Sequence, residues 1–172
     1  MLLHFFSRRR NEAKRNLFRN FIFGVEDSLV STVGLLSGIA AANTSRLTII
    51  TTGIVLIFVE AFSMGIGSYL SEETSQQYSS HRKISHITVF KAALVMFISY
   101  LLAGLIPLSP YLLFTGPRAE IYSILATLSS LIILGIYTAR LFRGNILSKA
   151  LEMFLLGGLA TLVGIVIGSL LG

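Results

Sequence analysis

Apolar residues fall in five runs along the chain, separated by short polar breaks. The runs are Phe21 to Asn43, Leu47 to Leu70, Ile87 to Ile106, Ala119 to Ala139 and Ile146 to Gly172. Each matches the roughly 20 residues a helix needs to cross the hydrocarbon core of a bilayer. The pattern predicts an all-α integral membrane protein with five transmembrane helices, over about 21–43, 47–70, 87–106, 119–139 and 146–171. The breaks carry their own signals. Asn43-Thr44-Ser45 reads as a tight turn that caps the second span, and residues 71–86 form a polar link. Pro107 and Pro110 are expected to end span three, because each removes a backbone donor. Gly116-Pro117-Arg118 breaks the chain again, and Arg140, Arg143 and Gly144 close span four.

Composition supports this reading. Charged residues make up 13% of the 172, against about 25% in a soluble domain. Cysteine is absent, which removes disulfides and thiolate metal sites, and without Trp an interfacial aromatic belt must use Tyr and Phe. Residues 1–20 form a basic arm expected to lie among anionic headgroups, ahead of a five-helix membrane domain over 21–172. With the N-terminus in the cytosol, twelve of the fourteen Lys and Arg fall inside and only Arg46 and Arg118 outside. That asymmetry predicts N-terminus in and C-terminus out. It also accounts for the net charge of +6 without nucleic acid.

Two stretches break the apolar rule, Phe23-Gly-Val-Glu-Asp-Ser-Leu-Val-Ser-Thr-Val-Gly34 and Val59-Glu-Ala-Phe-Ser-Met-Gly-Ile-Gly-Ser-Tyr-Leu-Ser71. A carboxylate at mid-helix in lipid costs roughly 2.5–3.5 kcal/mol on the lenient insertion scale, so Glu26, Asp27 and Glu60 must be buried, paired, protonated or coordinated. Counted from the span ends, Asp27 and Met64 reach matching depth, about 9 Å in, with Glu60 one turn deeper on the face of Met64. Asp27, Ser31, Gly34 and Gly38 form a small-residue stripe, as do Ala160, Gly164, Gly168 and Gly172, and such stripes let helix backbones approach closely.

Carboxylates beside a thioether suit a divalent transition ion better than Mg²⁺ or Ca²⁺. Acids in a bilayer also carry protons, and metal and protons compete for the same oxygens. Asp27 and Glu60 are therefore candidates for both roles, with Met64 and Glu26 as further ligands. Glu72 and Glu73, with His81 and His86, are candidates for a cytosolic entrance, against the plainer reading of a solvated loop. Glu120 suits the positive start of span four, and Glu12 and Glu152 also lie at span ends. No histidine lies within a span to serve as a base, and no glycine-rich phosphate loop is present. Neither an enzyme nor a resident cofactor is expected. Two alternatives remain open: a non-transporting assembly or stress-response protein with structural acids, and a passive cation channel.

These residues resemble the vacuolar iron transporter family of divalent metal/proton exchangers. The resemblance runs over nearly all of residues 15–172. It is carried by Arg19-Asn-Phe-Ile-Phe-Gly-Val-Glu-Asp-Ser-Leu-Val-Ser-Thr32 with Leu35-Leu-Ser-Gly-Ile-Ala-Ala41, and by Glu60-Ala-Phe-Ser-Met-Gly-Ile-Gly-Ser-Tyr-Leu-Ser71. Pro107-Leu-Ser-Pro-Tyr111 and Gly157-Gly-Leu-Ala160 add to it. It implies a homodimer with a path between protomers built from spans one and two, moving Fe²⁺ or Mn²⁺ out of the cytosol against protons. Asp27 and Met64 would be the matching ligands. The family's usual span-two glutamate falls at Leu56, so Glu60 enters by proximity alone. Plant members insert a metal-binding helical domain between spans two and three, where this chain has a short link with Glu72 and Glu73.

Overall fold

A computed structural model describes the backbone of residues 2–79 and 85–172 and the side chains of 14–78 and 85–172. His81 of the proposed entrance lies outside the described residues. Five helices follow one another: α1 (Leu2–Ala41), α2 (Arg46–Ser79), α3 (His86–Leu113), α4 (Pro117–Leu141) and α5 (Ile146–Leu171). All five are long and apolar enough to cross a membrane, and the chain is an integral membrane protein. Among the described residues, α1 is the central helix and touches the other four, whereas α2 packs only on α1 and α3.

The turns follow from local chemistry. Asn43 takes a left-handed φ of 54°, Thr44 Oγ1 donates to the Ile39 carbonyl, and Ser45 Oγ accepts the Thr48 amide at 3.1 Å as the cap of α2. Asn145 caps α5 by accepting the Ser148 amide. Gly116, at φ 64°, hands the chain to Pro117 in the first turn of α4.

α1 runs unbroken from Leu2 through the basic stretch into span one. One expectation changes. Pro107 and Pro110 sit inside α3 and do not end it. Pro110 leaves the Ile106 carbonyl without its helical donor, and Ser109 Oγ supplies one at 2.9 Å. Ser123 Oγ of α4 donates to the Pro107 carbonyl at 2.6 Å. A membrane helix tolerates proline where a hydroxyl satisfies the freed carbonyl, as Ser109 does for Ile106.

Close contact along α1 uses its small residues. Gly34 and Gly38 lie against backbone at Ala160, Gly164 and Gly168 of α5, so a Cβ on Gly38 would meet the Gly164 carbonyl at 2.8 Å. Matching residues rise together along both helices, so α1 and α5 run parallel. Aromatic groups sit at both ends of the bundle: Phe18 packs on Phe21, Tyr137 and Phe142, and Phe114 on Tyr122. They supply the belt that tryptophan would otherwise form. Arg46 donates to the Tyr111 and Leu112 carbonyls at 2.8 Å each, which explains one of the two cations outside the charge pattern as a cap for α3.

Candidate functional site

Hydrogen bonds fix the register between α1 and α2. Asn16 Nδ2 donates to both Glu72 oxygens, at 3.0 and 3.1 Å, and Asn20 Nδ2 donates to Ser68 Oγ at 2.9 Å. A step of four residues up α1 therefore matches a step of four back along α2. Continued at that rate, Gly24 stands level with Met64, and Asp27 with Ala61, the residue next to Glu60. The depth expected from span ends is thereby corrected: Glu60 is the residue opposite Asp27, and Met64 lies one turn nearer the α1 N-terminus. The error arose from counting depth from span edges where neither helix stops. α1 has no terminus near Phe21, and α2 continues past Leu70 to Ser79.

Asp27 and Glu60 are both half-buried and close enough for their charges to act on each other. Met64 is half-buried on the same face of α2 as Glu60, four residues along. Behind Glu60 stands Tyr100 of α3, fully buried, whose Oη donates to Glu60 Oε2 at 3.0 Å and lies 2.7 Å from Ser31 Oγ. Ser28 Oγ donates to the Tyr100 carbonyl at 2.6 Å. The centre thus takes Asp27, Ser28 and Ser31 from α1, Glu60 from α2 and Tyr100 from α3.

Glu26 belongs to different surroundings. One residue along a helix turns the side chain by about 100°, and Glu26 feels Lys149 and Glu152 of α5 as well as Asp27. Lys149 Nζ bridges both Glu152 oxygens at 2.9 and 3.0 Å, beside a groove of about 220 Å³ lined also by Thr138, Phe142 and Asn145. Glu72 and Glu73 also part company. Glu72 is buried, at 7% exposure, by Asn16 and Gln76, and joins the extensions of α1 and α2. Glu73 is half-buried.

Sequence reasoning passed over Tyr100 and Asn20. A signal existed for both: each is a polar group set in apolar sequence, Tyr100 after Phe97-Ile-Ser99 and Asn20 before Phe21-Ile-Phe23. Among the described residues, no three His, Cys, Asp or Glu side chains converge to hold a metal. One protomer brings two acids, Asp27 and Glu60, and the Met64 thioether to this region.

Five apolar helices with facing carboxylates on the first two place the chain in the class of polytopic membrane proteins that keep ionisable groups inside the bilayer. Within that class, the chain belongs to the VIT family, which it matches over residues 18–88 and 77–169. It is similar to vacuolar iron transporter 1 of Tulipa gesneriana, 22% identical over 206 aligned positions covering 85% of this chain and 83% of that protein. The vacuolar iron transporter of Centaurea cyanus is 24% identical over 204 positions, 83% of each. Both alignments are longer than the 172 residues here, so both relatives carry residues that this chain lacks. The two family matches meet at the α2–α3 link.

Proposed function

We propose that the chain carries Fe²⁺ or Mn²⁺ out of the cytosol in exchange for protons, as a homodimer with its N-terminus in the cytosol. The observation that carries this reading is the level pairing of Asp27 and Glu60 on adjacent helices, with Met64 one turn along. Two hard oxygens and one soft sulfur favour a transition ion, and the relatives bear the name of iron transporters. A second copy, presenting the same groups across a two-fold axis, would double the partial set to four acids and two thioethers. Protons arriving from the far side compete for the Asp27 and Glu60 oxygens and release the ion. Glu26, beside Lys149, serves as a proton acceptor on the α5 side, and Glu73 remains the candidate ligand at the entrance.

The test is uptake of Fe²⁺ or Mn²⁺ into proteoliposomes driven by an imposed pH gradient. Asp27→Asn keeps the shape and removes the charge, so uptake is expected to fall to the protein-free level. Undiminished uptake would sink the assignment. Uptake by the unaltered chain without proton counterflow would indicate a channel, and no metal binding at all would indicate structural acids.

A further inference from the structure

The hydrogen bonds around Tyr100 have a direction. The single Tyr100 hydroxyl proton goes to Glu60 Oε2, since an ionised carboxylate only accepts. Ser31, 2.7 Å away, must then donate to Tyr100 Oη. Ser28 holds the Tyr100 backbone at the carbonyl, and the ring is fully buried. The phenol is thus tied to α1 at both ends and has no room to swing. Glu60 Oε2 is committed to it, which leaves Oε1 as the oxygen for another partner.

We infer that Tyr100 is a positioning residue that presents Glu60 to the ion through one oxygen and thereby sets discrimination against Ca²⁺. The inference rests on the metal-transport reading above. Ca²⁺ takes about six to eight oxygens and readily grips a carboxylate by both, at about 2.3–2.6 Å. A smaller transition ion is satisfied by one oxygen from each of several ligands. Holding Oε2 on a phenol therefore withholds the two-oxygen grip from the ion that gains most by it. Releasing Oε2 should shift the ratio of Ca²⁺ to Mn²⁺ affinity toward Ca²⁺.

The experiment uses the full chain in lipid nanodiscs. Mn²⁺ binding is read from the loss of the free-ion paramagnetic resonance signal, with Ca²⁺ as competitor. Tyr100→Phe keeps the ring and deletes only the hydroxyl. It is expected to strengthen Ca²⁺ competition relative to Mn²⁺ affinity by about tenfold, the scale of one hydrogen bond to a charged group. Adding Tyr100→Phe to Glu60→Gln should then change nothing further, because the effect passes through Glu60. Should Tyr100→Phe aggregate, Ser31→Ala loosens the same chain of hydroxyls from its other end and should shift the ratio in the same direction. An unchanged Ca²⁺/Mn²⁺ ratio, or a shift that survives Glu60→Gln, overturns the positioning role while leaving transport intact. Failure of the unaltered chain to bind Mn²⁺ overturns the transport reading and this inference with it.

Discussion

Asp27, Glu60 and Met64 differ in how firmly their surroundings hold them. Glu60 is fastened by Tyr100, and Asp27 lies close enough to sense its charge. Met64 has only its place on the helix, one turn from Glu60. On the proposed reading its contribution would be chemical, a polarisable sulfur among oxygens. Met64→Leu conserves volume, and such swaps usually cost less than about 1.5 kcal/mol, so the variant should fold. Its preference for Fe²⁺ over Mg²⁺ should drop by about five- to tenfold, on the order of 1 kcal/mol for one soft ligand. Competition of Mg²⁺ against Fe²⁺ uptake reads this directly, and superimposable curves for the two proteins remove Met64 from the ligand set. The residue types of this site were legible in the sequence, since acids in an apolar run are costly anywhere. Their level was not legible, because Asn16–Glu72 and Asn20–Ser68 set it near the ends of the two spans, through polar pairs that no periodicity announces.

At the scale of helices, the five elements and the Ser45 cap could be read from apolar runs and turn residues, because both depend on local chemistry. The passage of α3 through Pro107 and Pro110 could not, since proline removes helix donors by rule and only the Ser109 hydroxyl turned back to the Ile106 carbonyl offsets one of the losses. The α1–α5 contact falls between these cases. The stripes of small residues were visible, but not which pairs with which. Gly34 and Gly38 meet Gly164 and Gly168 backbone to backbone, where no side chain can yield. Gly164→Leu should therefore cost at least about 1–3 kcal/mol by overpacking and lower the melting temperature in detergent sharply. Gly158, on the same helix, has nothing within 4 Å of a Cβ, so Gly158→Leu should melt with the unaltered protein. Equal melting of the two variants would show that α1 and α5 do not pack at these glycines.

The whole molecule is asymmetric in how its helices meet the bilayer. α5 turns outward an almost wholly apolar surface, including Leu155, Leu159, Leu162 and Leu170, as lipid requires. The outer side of α2 is mixed: Phe58, Phe62 and Ile66 stand exposed beside Ser63, Gly67 and Ser71. Hydroxyls and a glycine repeating at four-residue intervals are poor company for lipid tails and good surfaces for another helix. Among the described residues α2, like α5, packs on only two other helices, and it carries Glu60 and Met64 of the proposed site. On the function proposed above, α2 would meet α2 of a second copy and the two sets of groups would close on one ion. The absence of cysteine makes this directly testable. A single cysteine introduced at Ser63 or at Gly67 should form a disulfide-linked dimer on mild oxidation in native membranes, whereas one at Leu162, on the lipid side of α5, should not. Bound Fe²⁺ or Mn²⁺ should change the rate of linking at Ser63, because the ion joins the two helices one turn away. Efficient linking at Leu162 with none on α2 would place the protomer contact elsewhere and leave the coordination set of Asp27, Glu60 and Met64 to be completed within one chain.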